Sequence, residues 1–260
     1  MNKKAVRKEL ARVQKQEDRF IYRASESHSY MQERINRIIP KKIYAKLDKA
    51  FGKAFNFIYS KGTKAIRKTY SEKKMKEDFE EDKRFAKAVN TGLGVKSFHS
   101  TSRRRGLLDG LIAGIAGIGL GLFGRGVWDI PIFVSITFRN MYETCLCYGF
   151  DSDDLSEKIL MLKMMEAALT TGDEIEDINA ETDAMIEAID RGYVFGEDAL
   201  QAQIESVSSK LSQQILYLKF LQIIPIVGGV IGFSDIIYLG KVHRYIDMKY
   251  RKRFLMMQEG

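Results

Sequence analysis

Apolar residues along this chain recur three and four positions apart, the period of one helical face, and period-two runs bounded by turn residues are scarce. The pattern predicts an all-α protein. Residues 1–34 are densely charged and only weakly amphipathic, and they read as an N-terminal extension. A stronger pattern starts at Pro40, a residue suited to a first helical turn, with Ile43, Leu47, Phe51, Ala54, Phe55 and Ile58 on its apolar face. Lys42, Lys46, Lys49 and Lys53 are spaced four, three and four apart, so they form one basic stripe on that helix. Another basic, mostly helical segment is expected over 63–87, followed by a linker over 90–105 that carries Gly92, Gly94 and the run Arg103, Arg104, Arg105.

The pattern changes after 105. Residues 110–124 hold no charge and 6 glycines, with Gly106, Gly110 and Gly114 spaced by four. Glycines cost helix propensity in water, but a face of them lets another backbone approach closely. Helices are expected over 131–148, 155–169, 173–191 and 198–221, the first stopping at Gly149 and the second capped from 151–154. In 173–191 the inward positions are Ile175, Ile178, Met185, Ile186 and Ile189, and its acids read as a solvated face. A second glycine-rich apolar stretch, 220–234, leads into a basic C-terminal helix. The fold expected is a helical bundle with two glycine-rich apolar helical hairpins. The five residues from Gly126 and the five from Gly232 are alike, which fits either a degenerate two-fold repeat or coincidence. The chain then divides into the extension 1–34 and a single helical domain 35–260, with a basic arm 35–105 and a core 106–260.

Charge sharpens this division. Residues 1–105 hold 29 Lys/Arg against 12 Asp/Glu, a net of +17, while 106–260 hold 13 against 22, a net of −9. Residues 143–205 alone carry 17 acids and 3 bases, and 241–253 return to 6 bases with Asp247. Basic ends around an acidic middle point either to an anionic partner or to the basic ends folding onto the middle.

Residues 110–150 combine the glycine-rich run with Asp129-Ile130-Pro131 and Tyr148-Gly149-Phe150-Asp151. Residues 224–232 read Ile-Pro-Ile-Val-Gly-Gly-Val-Ile-Gly, and Ile38-Ile39-Pro40 precedes the basic helix. In order and spacing these motifs resemble the EcsC protein family over residues 35–254. The family takes its name from a gene accompanying a bacterial ABC transporter. The resemblance implies a bacterial protein in the cytoplasm or peripheral to the cytoplasmic membrane, with no established activity and no catalytic residues to carry over. Asp235 stands where family members often carry asparagine.

The chemistry-bearing residues are sparse. His28, His99 and His243 are scattered, and Cys145 and Cys147 lack a second pair at zinc-site spacing. The two thiols point to nearly opposite sides of a helix and are expected free, in a reducing compartment. No phosphate-binding loop of the Gly-x-x-x-x-Gly-Lys type, no Gly-x-Ser-x-Gly elbow and no signal peptide is legible. We expect no cofactor and no metal, and the reading leans away from an enzyme. Arg125, Asp129, Arg139 and Asp235 are the polar residues nearest the apolar stretches. They read either as structural pairs and caps, with Arg139 reaching Glu143, or as a polar cluster lining a cleft. Met161, Met164 and Met165 read as core.

Three functions are compatible with these features. The first is a membrane-associated accessory protein that meets an anionic lipid surface through Lys42, Lys46, Lys49 and Lys53, with Arg103, Arg104 and Arg105 in support, beside an ABC transporter subunit. Charge-free runs of 15 residues fall short of a bilayer span, so a peripheral placement is favoured. The second is a soluble module holding a lipid or hydrophobic peptide. The third, nucleic-acid binding by the basic half, is least favoured because no recognition motif accompanies the charge.

Overall fold

Helices make up nearly all of what the computed structural model describes, which is residues 2–26, 37–89, 130–223 and 234–259. They are α1 (Lys3–Ser25), α2 (Lys41–Phe57), a π turn (Ile58–Gly62) running into α3 (Thr63–Arg67), α4 (Glu72–Val89), α5 (Ile130–Cys147), α6 (Leu155–Leu169), α7 (Glu174–Asp190), α8 (Glu197–Ile223) and α9 (Ser234–Glu259). No strand occurs among the described residues, and the architecture is the all-α helical bundle the periodicity predicts. The glycine-rich hairpins, the repeat, Arg103, Arg104, Arg105, Arg125 and Asp129 lie outside the described residues.

Turn chemistry sets the boundaries around α6. Asp154 caps it by accepting the Glu157 N–H at 3.0 Å. Gly149 ends α5 at φ +81°, and a Cβ there would sit 2.3 Å from Cζ of Phe79, so only glycine fits. α6 is buried on nearly every side, its Glu157, Lys163 and Glu166 paired within the molecule, and it is the centre of the bundle. Leu160, Met161, Leu162, Met164 and Met165 have no exposure, and α7, α8 and α9 pack against it. Pro40 occupies the N-cap of α2, and Phe51, Ala54, Phe55 and Ile58 turn inward as expected.

Two expectations change and a third is refined. Ile43 is 42% exposed, because the small cluster of Ile39 and Leu216 receives Tyr44 and Leu47 instead. The segment 63–87 is mostly helical as expected and divides into α3 and α4. The Thr69 hydroxyl donates to the Ile66 carbonyl at 2.6 Å and Ser71 Oγ accepts the Lys74 N–H at 3.3 Å, so the backbone leaves one helix and enters the next. The first 25 residues are not weakly amphipathic. α1 buries Val6, Glu9, Val13, Glu17 and Ala24, and it lies along α9 and α7.

Candidate functional site

On α2, Lys42, Lys46, Lys49 and Lys53 are all exposed, and at 100° per residue they fall within an arc of about 60°. None of the four has an ion-pair partner among the described residues. Ile43 (42% exposed) and Phe57 (59%) border the stripe on one flank, and Ile38 (66%) precedes the helix. The opposite face is fixed to α8 and α5, where Phe55 and Tyr59 pack their rings on Phe138. The result is a rigid helix presenting lysines and bare apolar side chains together.

The basic residues of α9 meet a different fate. Lys249 has no exposed side-chain surface and bonds Glu17 of α1 and, at 2.7 Å, Asp183 of α7. Lys252 reaches the same two carboxylates at 2.8 and 3.2 Å. Arg251 pairs with Glu9, and Arg253 with Glu157 and Asp190 while stacking 4.1 Å from the Phe150 ring. Four of the six bases of the C-terminal stretch, Lys249, Arg251, Lys252 and Arg253, are therefore matched inside the molecule, and Asp183 and Asp190 are engaged rather than solvated. Burial raises the Glu157 carboxyl above its ordinary value despite Arg253 and the Tyr250 hydroxyl donating at 3.0 Å. Burial also pushes the Cys145 thiol well up. Lys241 has no such match. It sits 5.7 Å from the Phe20 ring and burial pushes it down to about 8.

A polar seam joins α5 and α9, which run parallel. Thr144 Oγ1 lies 3.5 Å from His243 Nδ1, and one turn on the Tyr148 hydroxyl donates to Asp247 at 2.8 Å. Asn140, 4% exposed, faces this seam with neither amide atom hydrogen-bonded. Its signal in the sequence is three polar residues, Thr137, Asn140 and Thr144, on one face of the helix.

Of the four residues expected to form a polar cluster, Arg139 pairs with Glu143 at 3.0 Å along α5. Asp235 lies in the first turn of α9, with its side chain outside the described residues, as Arg125 and Asp129 are entirely. Cys145 and Cys147 are both buried and free. Among the described residues no three His, Cys, Asp or Glu side chains are grouped to hold a metal ion, and no helix is long and apolar enough to cross a membrane. No curated protein and no solved structure is detectably similar to the chain. The model of the EcsC protein family matches residues 4–255, which takes in α1 as well as the bundle around α6, and the chain belongs to that family.

Proposed function

We propose that this protein is a membrane-associated accessory protein of the EcsC type, non-enzymatic and peripheral to the cytoplasmic membrane, that lays α2 on an anionic lipid surface and works beside a transporter. The observation that carries the reading is the stripe of Lys42, Lys46, Lys49 and Lys53, unpaired among the described residues and bordered by exposed Ile43 and Phe57. A solvated structural face has no need of bare Phe and Ile, whereas an interfacial helix needs both charge for headgroups and apolar side chains for the acyl boundary. The internal matching of α9 supports α2 as the lipid-facing element. Arg103, Arg104 and Arg105 extend the same basic arm in sequence.

The test is co-sedimentation with vesicles of phosphatidylcholine and phosphatidylglycerol. Each juxtamembrane base contributes about 1 kcal/mol at low screening. The K42Q/K46Q/K49Q/K53Q variant should therefore bind on the order of 100- to 1000-fold more weakly at low salt. Phe57→Ser should weaken the fraction of binding that survives high salt. Equal binding of wild type and quadruple variant would overturn the reading. Salt-steep binding to RNA or DNA fragments in place of vesicles would favour nucleic acid as the partner.

A further inference from the structure

The two halves of α9 are held very differently. From Lys249 onward its bases are locked to carboxylates of α1, α6 and α7. Towards its start, the seam with α5 is poorly matched. The Thr137 and Thr144 hydroxyls donate to the carbonyls of Phe133 and Asn140 at 2.8 and 2.7 Å, which leaves them as acceptors only. Neither Oδ1 nor Nδ2 of Asn140 has a partner, and the gap it faces is too narrow for a water molecule. A buried polar group without a partner carries its full desolvation penalty, and in this closed arrangement nothing offsets it. Of the remaining walls of the gap, Met141, Leu239, Val242 and Ile246 are apolar, and His243 brings an imidazole whose Nδ1 lies 3.5 Å from Thr144 Oγ1. No lysine or arginine lines it.

We infer that the α5–α9 seam is a closed ligand pocket that parts to seat a single-chain amphiphile, with its head on Asn140 and its alkyl chain along Leu239, Val242 and Ile246. Polar groups that converge within apolar walls are the usual make-up of a small-molecule site, and a closed pocket is opened by the ligand that prefers the open state. The head is neutral, since no lysine or arginine lines the gap to meet a buried charge, and an anionic head paired with the His243 imidazole instead would show itself as equal binding of the anionic probe. It carries one donor beside one acceptor, as a protonated carboxylic acid or a primary amide does. Such a head satisfies both orphan atoms at once, donating to Oδ1 and accepting from Nδ2. This site is separate from the α2 surface, and the two readings stand or fall apart.

The experiment is thermal unfolding and calorimetric titration of the full chain with decanamide, decanoic acid and, as a head with no donor, decanesulfonate. Decanamide should raise Tm by about 5–10 °C at a hundredfold excess over Kd. Decanoic acid should do the same where it is protonated, and decanesulfonate should have no effect. Asn140→Leu should unfold at a higher temperature than wild type without ligand and bind decanamide about 10- to 100-fold more weakly. Asn140→Thr, which keeps a polar side chain but not the paired donor and acceptor, should also lose the response. The quadruple lysine variant of α2 should keep it. Equal stabilisation by decanesulfonate, no stabilisation of wild type by either neutral probe, or an undiminished response in both Asn140 variants would overturn the proposal.

Discussion

Whether α1 is part of the folded core is decided at Lys249. Its ammonium has no exposure, Glu17 has 1%, and the pair ties α1 to α9 with Asp183 of α7 as the third member at 2.7 Å. Removing one partner of a buried pair costs about 3–5 kcal/mol when the survivor is left uncompensated. Here each survivor keeps one contact: after Lys249→Met, Glu17 still has Lys252 at 2.8 Å, and after Glu17→Gln, Lys249 still has Asp183. We therefore expect somewhat less than that, about 2–4 kcal/mol for each single variant. For a chain of this length that is a Tm loss of about 4–16 °C. The double variant should lose less than the sum of the singles, with a coupling of about 1–3 kcal/mol. The assay is urea and thermal unfolding at pH 7, repeated at high salt, which should not rescue the loss because a buried pair is little screened. Single-variant losses under about 0.5 kcal/mol, additive in the double, would refute the reasoning and return α1 to the status of a surface appendage.

Three other outcomes follow from the packing. Lys241 is held near 8 by burial, below its ordinary value, so the unfolded chain binds more protons between the two values and stability rises with pH across that window. Lys241→Met should thus stabilise at pH 7, by roughly 1–3 kcal/mol after allowing for partial exposure, and the gain should vanish above about pH 10 in a pH series of thermal melts. Gly149→Ala combines a left-handed backbone with the close Phe79 ring and should cost about 2 kcal/mol or more by chemical denaturation. Cys145 and Cys147 should give no fast reaction with a thiol reagent in the native state and two thiols after unfolding, because both are buried and the Cys145 thiol is held protonated.

The helices after 130 were legible because each carries local signals: an Asp cap, a glycine stop, and apolar positions on one face. α1 was harder to read. Its inward line, Val6, Glu9, Val13, Glu17, has helical spacing, but two of the four positions are carboxylates. In isolation those acids look like surface residues. Their role depends on Lys249 and Arg251, more than 230 positions away, and no local pattern reports such a match. The stripe on α2 was legible because charge period and helix period coincide there. What the sequence did not show is that Ile43 stays outside beside it, since that depends on how Tyr44 and Leu47 meet α8. Asn140 is hidden in the sequence for a similar reason: one amide among the polar residues of a helix is ordinary, and only its packed neighbours leave it unpaired.

The placement of the two charge systems also bears on orientation. α2 packs on α8 and α5, while the acidic α7 packs on α6 and α1. With helices about 8–10 Å apart, α7 stands roughly 20 Å from the outer side of α2, beyond the Debye length of about 8 Å at physiological salt. An anionic surface meeting the lysines of α2 would therefore experience little repulsion from the acids of α7. The same chain turned the other way presents acids whose partners, Lys249, Lys252 and Arg253, are already buried behind them. On the proposed reading, the lysines and bare apolar side chains of α2 set the orientation. It follows that neutralising α2 should abolish orientation together with affinity, whereas adding lysines to α7 should recover some affinity with the molecule reversed, a result that site-specific fluorophores on α2 and α7 would separate.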